Sequence, residues 1–197
     1  MKLQELNQIK KPYFGHEEIA RVFKIGPNSA KVSAGRYVRQ GLLLRVKKNM
    51  YVLKESWVRA RIEGKFIIAN MGQTPSYISL MTALSFYEAT TQIQRDFIES
   101  IAVKRSKEIK VNGSIFRYVR MKQDLYFGFR KEDNFFIATP EKALLDACYL
   151  LSYGRYSMDI SALDRNKFDL DRIENLSQKF PIKTKKLLMK HGYLKTT

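Results

Sequence analysis

The chain has 197 residues, 45% of them hydrophobic, enough for one large or two small cored domains, and this excludes disorder driven by composition. Lys and Arg number 36 against 19 Asp and Glu, a net charge of +17 that points to a polyanionic partner, most often nucleic acid. The single cysteine, Cys148, excludes a disulfide framework and a cysteine-rich zinc site, and two histidines, His16 and His191, exclude a histidine-rich one. No cofactor is expected. The first residues, MKLQELNQIKK, lack the apolar stretch of a signal peptide, and no run approaches a membrane span. A reduced, cytoplasmic protein without a membrane partner is expected.

Charge is uneven along the chain. Residues 1–61 hold 14 Lys and Arg against 4 Asp and Glu, more than half of the net charge. A small basic module, residues 1–54, therefore precedes a larger domain, residues 55–197. In the module, HEEIARVF from His16 reads as a short amphipathic helix with acids in its first turn. Gly26 and Pro27 end it in a tight turn. Asn28 is the expected N-cap of a second helix, NSAKVSAGRYVRQ, with Ser29 in reserve. On a helical wheel Ala30, Ala34, Tyr37 and Val38 share one face, and Asn28, Val32, Gly35, Arg36 and Arg39 lie opposite, with Ser29 and Lys31 nearby. Leu42–Val46 and Met50–Leu53 read as strands around the turn Lys47-Lys48-Asn49. Two helices and a basic-tipped hairpin describe a winged helix-turn-helix. Its expected DNA-binding residues are Asn28, Ser29, Lys31, Val32, Arg36, Arg39, Arg45, Lys47 and Lys48. The cations would neutralise phosphates, and Ser29, Lys31, Val32 and Arg36 would reach base edges.

The larger domain reads as α+β. Helices are expected over 59–70 and about Ser79–Ala89, with Ser79 as an N-cap. Strands are expected at Ile98–Lys104, Ser114–Arg120, Leu125–Phe129 and Phe135–Ala138, forming a small, mainly antiparallel sheet. Asn112-Gly113 predicts a hairpin between the first two. Thr139 and Pro140 open a further helix as N-cap and first helical residue, and C-terminal helices follow at about Leu170–Lys179 and Ile182–His191.

Two segments carry a resemblance. Pro75-Ser76-Tyr77-Ile78-Ser79-Leu80, continuing to Ala83-Leu84, resembles the PSYIS-x-x-x-AL signature of the AbiEi antitoxin family, and Ala138-Thr139-Pro140-Glu141-Lys142-Ala143-Leu144-Leu145-Asp146 resembles that family's A-x-P-E-K-A-L-L-D. The order of elements agrees, over about residues 10–155. Where family members often have a hairpin glycine, this chain has Asn49, and Tyr51 is kept. The resemblance implies an antitoxin of a type IV toxin–antitoxin system, associated with abortive infection. Such a protein counters a nucleotidyltransferase-like toxin, without necessarily touching it, and represses its own operon by binding double-stranded operator DNA. Pro75, Ser76, Tyr77, Ser79, Pro140, Glu141, Lys142 and Asp146 are the signature residues of the antitoxin domain.

Other constellations have plainer readings. Glu141 fits a helix dipole, and Lys142 and Asp146, spaced i,i+4, fit a surface pair rather than a catalytic set. Ser76 and Ser79 have no nearby histidine, and Cys148 reads as a core thiol. No enzymatic activity is expected. Aromatics alternate with arginines in Phe116-Arg117-Tyr118-Val119-Arg120, which suits either stacking on single-stranded RNA or a sheet packed on helices. Residues 179–195 hold six lysines and no acid, a second phosphate-binding surface or the polar face of a terminal helix. The reading is a DNA-binding antitoxin and autorepressor; the alternatives are a stand-alone winged-helix regulator and an RNA-binding protein.

Overall fold

A computed structural model describes residues 2–92 and 94–195. It is an α+β fold with N-terminal helices, a mixed β-sheet and C-terminal helices. Among the described residues, no helix is long and apolar enough to cross a membrane.

A 3-10 turn, Lys2–Gln8, leads to α1 (His16–Phe23) and α2 (Pro27–Arg39). Glu18 accepts the Gly15 N–H at 2.9 Å, and Lys24, left-handed at φ 52°, closes α1. Gly26 stands at the N-cap of α2 and Pro27 at its first position, so Asn28, expected as the cap, lies inside the first turn. Then β1 (Leu43–Lys47) and β2 (Met50–Leu53) form an antiparallel hairpin. Asn49 takes the turn's left-handed position at φ 56°, which Asn tolerates better than most residues, and its Oδ1 accepts the His16 N–H at 2.7 Å. Asn49 thus satisfies an orphan donor of α1.

The hairpin has two buried faces. Leu43 and Tyr51 join Ile19, Phe23, Ala30, Ala34 and Tyr37 in a small N-terminal core. Val46, Met50 and Val52 join the main core of the larger region, with Trp57. Tyr51 is also bridged to Phe14 by paired backbone hydrogen bonds of 3.0 and 2.8 Å.

The larger region begins with α3 (Lys54–Arg59) and α4 (Ile62–Gly72), where one helix over 59–70 was expected. Extended backbone at Ala60 and Arg61 separates them. After them come β3 (Ser76–Ile78), α5 (Leu80–Phe86), β4 (Phe97–Ala102), β5 (Lys107–Val111), β6 (Ser114–Arg120), β7 (Phe129–Glu132), β8 (Phe135–Ala138), α6 (Pro140–Ser152), α7 (Leu170–Ser177) and α8 (Ile182–Lys190).

The sheet corrects the expected one in size and pairing. It has six strands in the order β5-β6-β4-β3-β8-β7 and is mixed, because β4 runs parallel to β6 and β3 parallel to β8. Asn112-Gly113, both at positive φ, turns β5 into β6 rather than joining β4 to β6. The unforeseen β5, KEIKV, is a charged edge strand, a composition that discourages pairing with other chains and hides the strand signal. Leu125–Phe129 is not a strand. A 3-10 turn at Gln123–Leu125 is followed by Gly128 at φ 70°, and β7 starts only at Phe129. A Cβ on Gly128 would stand 2.9 Å from the Lys142 side chain, so the chain passes here only as glycine.

Strand alternation sorts the side chains by face. Ser76, Phe116 and Tyr118 turn toward α3 and α4, where Trp57 meets Phe116 edge-on. Tyr77 turns toward α6. Four side chains close the C-terminus of α4. Tyr118 Oη donates to Ala69 O at 2.5 Å and Ser76 Oγ to Gln73 O at 2.6 Å, with Asn70 O farther off at 3.4 Å. Lys47 Nζ donates to Met71 O at 2.5 Å and Lys107 Nζ to Gly72 O at 3.1 Å. Three of the four carbonyls that an α-helix leaves unpaired thereby gain a donor, from β6, β1 and β5, and Ser76 of β3 holds the residue just past the helix.

Candidate nucleic-acid interface

Helix α2 buries Ala30, Ala34 and Tyr37 and leaves its other side open, as the wheel predicts. Asn28, Lys31, Val32, Gly35 and Arg39 of that side meet Arg45 of β1 in one shallow groove of 710 Å³, with Tyr51 at its floor. Val32 is 69% exposed, an aliphatic side chain held in water among cations. Nothing lies within 4 Å of where a Gly35 Cβ would stand, so that position keeps the surface flat and open. Ser29 and Arg36 are exposed on the same helix beside the groove, and the Arg36 guanidinium lies 5.3 Å from the Tyr37 ring centre.

Among the described residues, none of Lys31, Arg36, Arg39, Arg45 and Lys48 has a carboxylate within 4.0 Å. Their field reaches His16, whose Nε2 lies 2.9 Å from Tyr51 Oη. Partial burial, then Lys31 and Arg45, push its imidazole below the ordinary histidine value.

The two lysines of the hairpin tip part company. Arg45 pairs with Tyr51 and Lys47 with Met50, leaving Val46 as an extra residue, a bulge. The bulge aims Lys47 away from α2 and onto Met71 O, while Lys48 stays exposed in the turn. The structure therefore gathers Asn28, Lys31, Val32, Arg39 and Arg45, keeps Ser29 and Arg36 beside them, and sends Lys47 to the larger region.

The second set of candidate residues meets in the interior. Tyr77 Oη and Ser79 Oγ donate to Asp146 Oδ2 at 2.9 and 2.8 Å. Lys142 Nζ donates to Tyr77 Oη at 2.9 Å and pairs with Asp146 Oδ1. Lys142 and Asp146 are wholly buried, which overturns their reading as a surface pair. Ser79, expected to cap α5, spends its hydroxyl on Asp146 instead. The Lys142 ammonium is ringed by Tyr77, Phe127 and Phe180, whose centres lie 5.4, 5.0 and 5.4 Å away. Burial pushes Lys142 down and Asp146 up, and their mutual attraction opposes both shifts. The remaining signature residues also have structural work. Ser76 donates to Gln73 O at the end of α4, and Pro140 starts α6 behind Thr139, whose Oγ1 accepts the Lys142 N–H at 3.4 Å. Pro75 follows a cis peptide bond. Glu141 accepts the Asp169 N–H at 3.4 Å and pairs with Arg172 of α7 at 3.6 Å.

The aromatics of β6, Phe116 and Tyr118, are buried against α3 and α4 and offer no stacking platform. Burial pushes the Cys148 thiol up to about 12. Among the described residues, no three His, Cys, Asp or Glu side chains gather to hold a metal ion. Sequence reasoning named His16 and Asn49 but assigned neither a part in the site, and it passed over the cluster Lys104, Arg105 and Lys107. Only the two positively charged neighbours of Ser106 hinted at the last of these.

No family model matches the chain, and a comparison with curated proteins finds no significant match.

Proposed function

We propose that the chain is a non-enzymatic DNA-binding protein whose first 54 residues act as a winged helix-turn-helix, α2 being the recognition helix. The observation that carries this is the α2 groove. Lys31, Arg39 and Arg45 converge there with Asn28 and Val32, and among the described residues no acid pairs with them. Cations without counter-ions gain free energy when phosphates displace the salt around a duplex, while Asn and Val suit base edges and thymine methyl groups. The operator would lie upstream of the chain's own gene, and the protein would repress that gene. From the resemblance of its two signature segments, it would also be an antitoxin against a nucleotidyltransferase-like toxin. The enclosed Tyr77–Ser79–Lys142–Asp146 network supports a structural rather than catalytic part for those segments.

Fluorescence anisotropy on duplex DNA from upstream of the gene, against a scrambled duplex and a folded RNA at two salt concentrations, tests the reading. Operator recognition predicts a preference of roughly 10³-fold for the upstream duplex. Equal, steeply salt-dependent binding to all three would leave only the charge of the chain, and the repressor reading would fall. The antitoxin half is tested by co-expression. Failure to rescue cells from a neighbouring nucleotidyltransferase gene product removes it.

A further inference from the structure

A second basic concavity lies where the hairpin meets the larger region. Lys47 from the end of β1, Lys104 and Arg105 from the β4–β5 turn, and Lys107 from the start of β5 surround a cleft of 510 Å³, with Gly72 and Thr74 in its wall. We propose that this cleft is a phosphate-binding site, separate from the α2 groove.

Helix capping explains part of it. Lys47 and Lys107 donate to Met71 O and Gly72 O, the negative end of α4. A helix C-terminus, however, amounts to about half a negative charge, against four cations here. No acidic residue lines the cleft. Lys104 and Arg105 are exposed, and among the described residues their side chains have neither a hydrogen bond nor a carboxylate partner. The turn that presents them is tied at two successive residues: Gln73 Nε2 donates to Arg105 O at 2.7 Å, and Ser106 Oγ accepts the Arg120 N–H at 2.9 Å. The backbone that carries the cations is thus held before an anion arrives, and only side-chain freedom is left to lose. Their mutual repulsion is visible at Lys107, whose ammonium is pushed down by burial and then by Arg105 and Lys47. A phosphate between them would relieve that repulsion and tie the hairpin to the larger region, since Lys47 belongs to one and the other three to the other. The shared chemistry is a phosphate group, carried either by a free phosphate compound or by a DNA backbone passing the far side of the hairpin.

The experiment compares full-length protein with Lys104→Ala/Arg105→Ala, which removes two exposed side chains without other contacts and should melt at the wild-type temperature in chloride. Lys110→Ala/Lys131→Ala, two exposed lysines on the edge strands β5 and β7 and outside the cleft, is the control for lost charge. In the first arm, melting is followed with inorganic phosphate and with deoxyadenosine monophosphate, each against sodium chloride of equal ionic strength. A free-phosphate site predicts a rise of about 3–6 °C at roughly tenfold excess over Kd, lost in the cleft variant and kept in the control. In the second arm, the salt dependence of binding to a scrambled duplex is measured. A backbone contact predicts a slope of log affinity on log salt shallower by about 2 in the cleft variant and not in the control. Either result supports the site and names its source. No melting shift together with slopes alike in all three proteins, or equally reduced in both variants, overturns it. Because the duplex is scrambled, failure of operator recognition leaves this test intact. If the wild-type protein binds no duplex at all, the melting arm decides alone.

Discussion

Helices α2 and α6 use the same residue types to opposite ends. Helix α2 holds Lys31, Arg36 and Arg39 in water with no counter-ion, over a small core of Ala30, Ala34 and Tyr37. Helix α6 is covered on every side from Glu141 to Leu150, and its lysine is spent wholly on Asp146 and Tyr77. A cation in water remains available to a ligand. A cation enclosed with its partner fixes the packing and is lost to binding. Exposure, rather than residue type, separates the two roles, and the wheel pattern reports exposure only for a helix that is covered on one side.

The largest expected effect lies in α6. Asp146→Ala leaves a buried ammonium, Tyr77 and Ser79 without their acceptor, and should cost about 3–5 kcal/mol in urea unfolding. Lys142→Met/Asp146→Leu should cost less than Asp146→Ala, because no buried charge is left uncompensated. If the double variant were the worse of the two, the network would be more than a packing device, and the contrast with α2 would weaken.

In α2 the effect should appear in binding alone. Lys31→Ala/Arg39→Ala should make the salt slope of duplex binding shallower by about 2 and leave stability within about 0.5 kcal/mol of wild type. Unchanged duplex affinity would show that this groove is not the interface.

The caps of α4 should give smaller losses. Tyr118→Phe, which frees Ala69 O, and Ser76→Ala, which frees Gln73 O, should each cost about 1 kcal/mol, read by chemical denaturation. A loss of Ser76 that abolished toxin rescue while sparing stability would give that signature residue a role beyond capping.

The smallest effects are in pH, and the two regions should differ in sign. Glu18 is held below the ordinary carboxylate value by Lys11 and then the Gly15 N–H. Its contribution is present above that value and is lost as pH falls through the lowered one. Glu99, enclosed on β4, is pushed up by burial, which outweighs its hydrogen bond from Tyr156 and the charge of Arg117. It retains its proton longer when folded, so its contribution is present at low pH and fades as pH rises through the raised value. Stability of Glu99→Gln relative to wild type should therefore climb with pH from about 4.5 upward, and that of Glu18→Gln should fall over the acid range, in parallel urea titrations.

Local signals were enough for much of the fold. Gly26-Pro27 before a helix, the apolar stripe of α2, strands at Ser114–Arg120 and Phe135–Ala138, and the Thr139-Pro140 helix start all depend on neighbours within a few residues. The misses have one cause. β5 forms because β6 pairs with it and β3 because β4 and β8 flank it, the first too charged and the second too short to signal itself. Ser79 resembles a cap until Asp146, 67 residues on, takes its hydroxyl. The groove shows the same division: its α2 residues follow from the wheel, while the bulge at Val46 that admits Arg45 and diverts Lys47 does not.

Residue order alone settles the net charge, the amphipathic helices and the turns, because these follow from composition and from dihedral preferences over a few residues. Packing decides which charges meet water. Lys31 and Lys142 both stand on helices near alanines and a tyrosine, and nothing local tells them apart. One faces solvent because only α1 and the hairpin cover its helix. The other lies among Tyr77, Phe127 and Phe180 because the sheet and the C-terminal segment close over it from far along the chain.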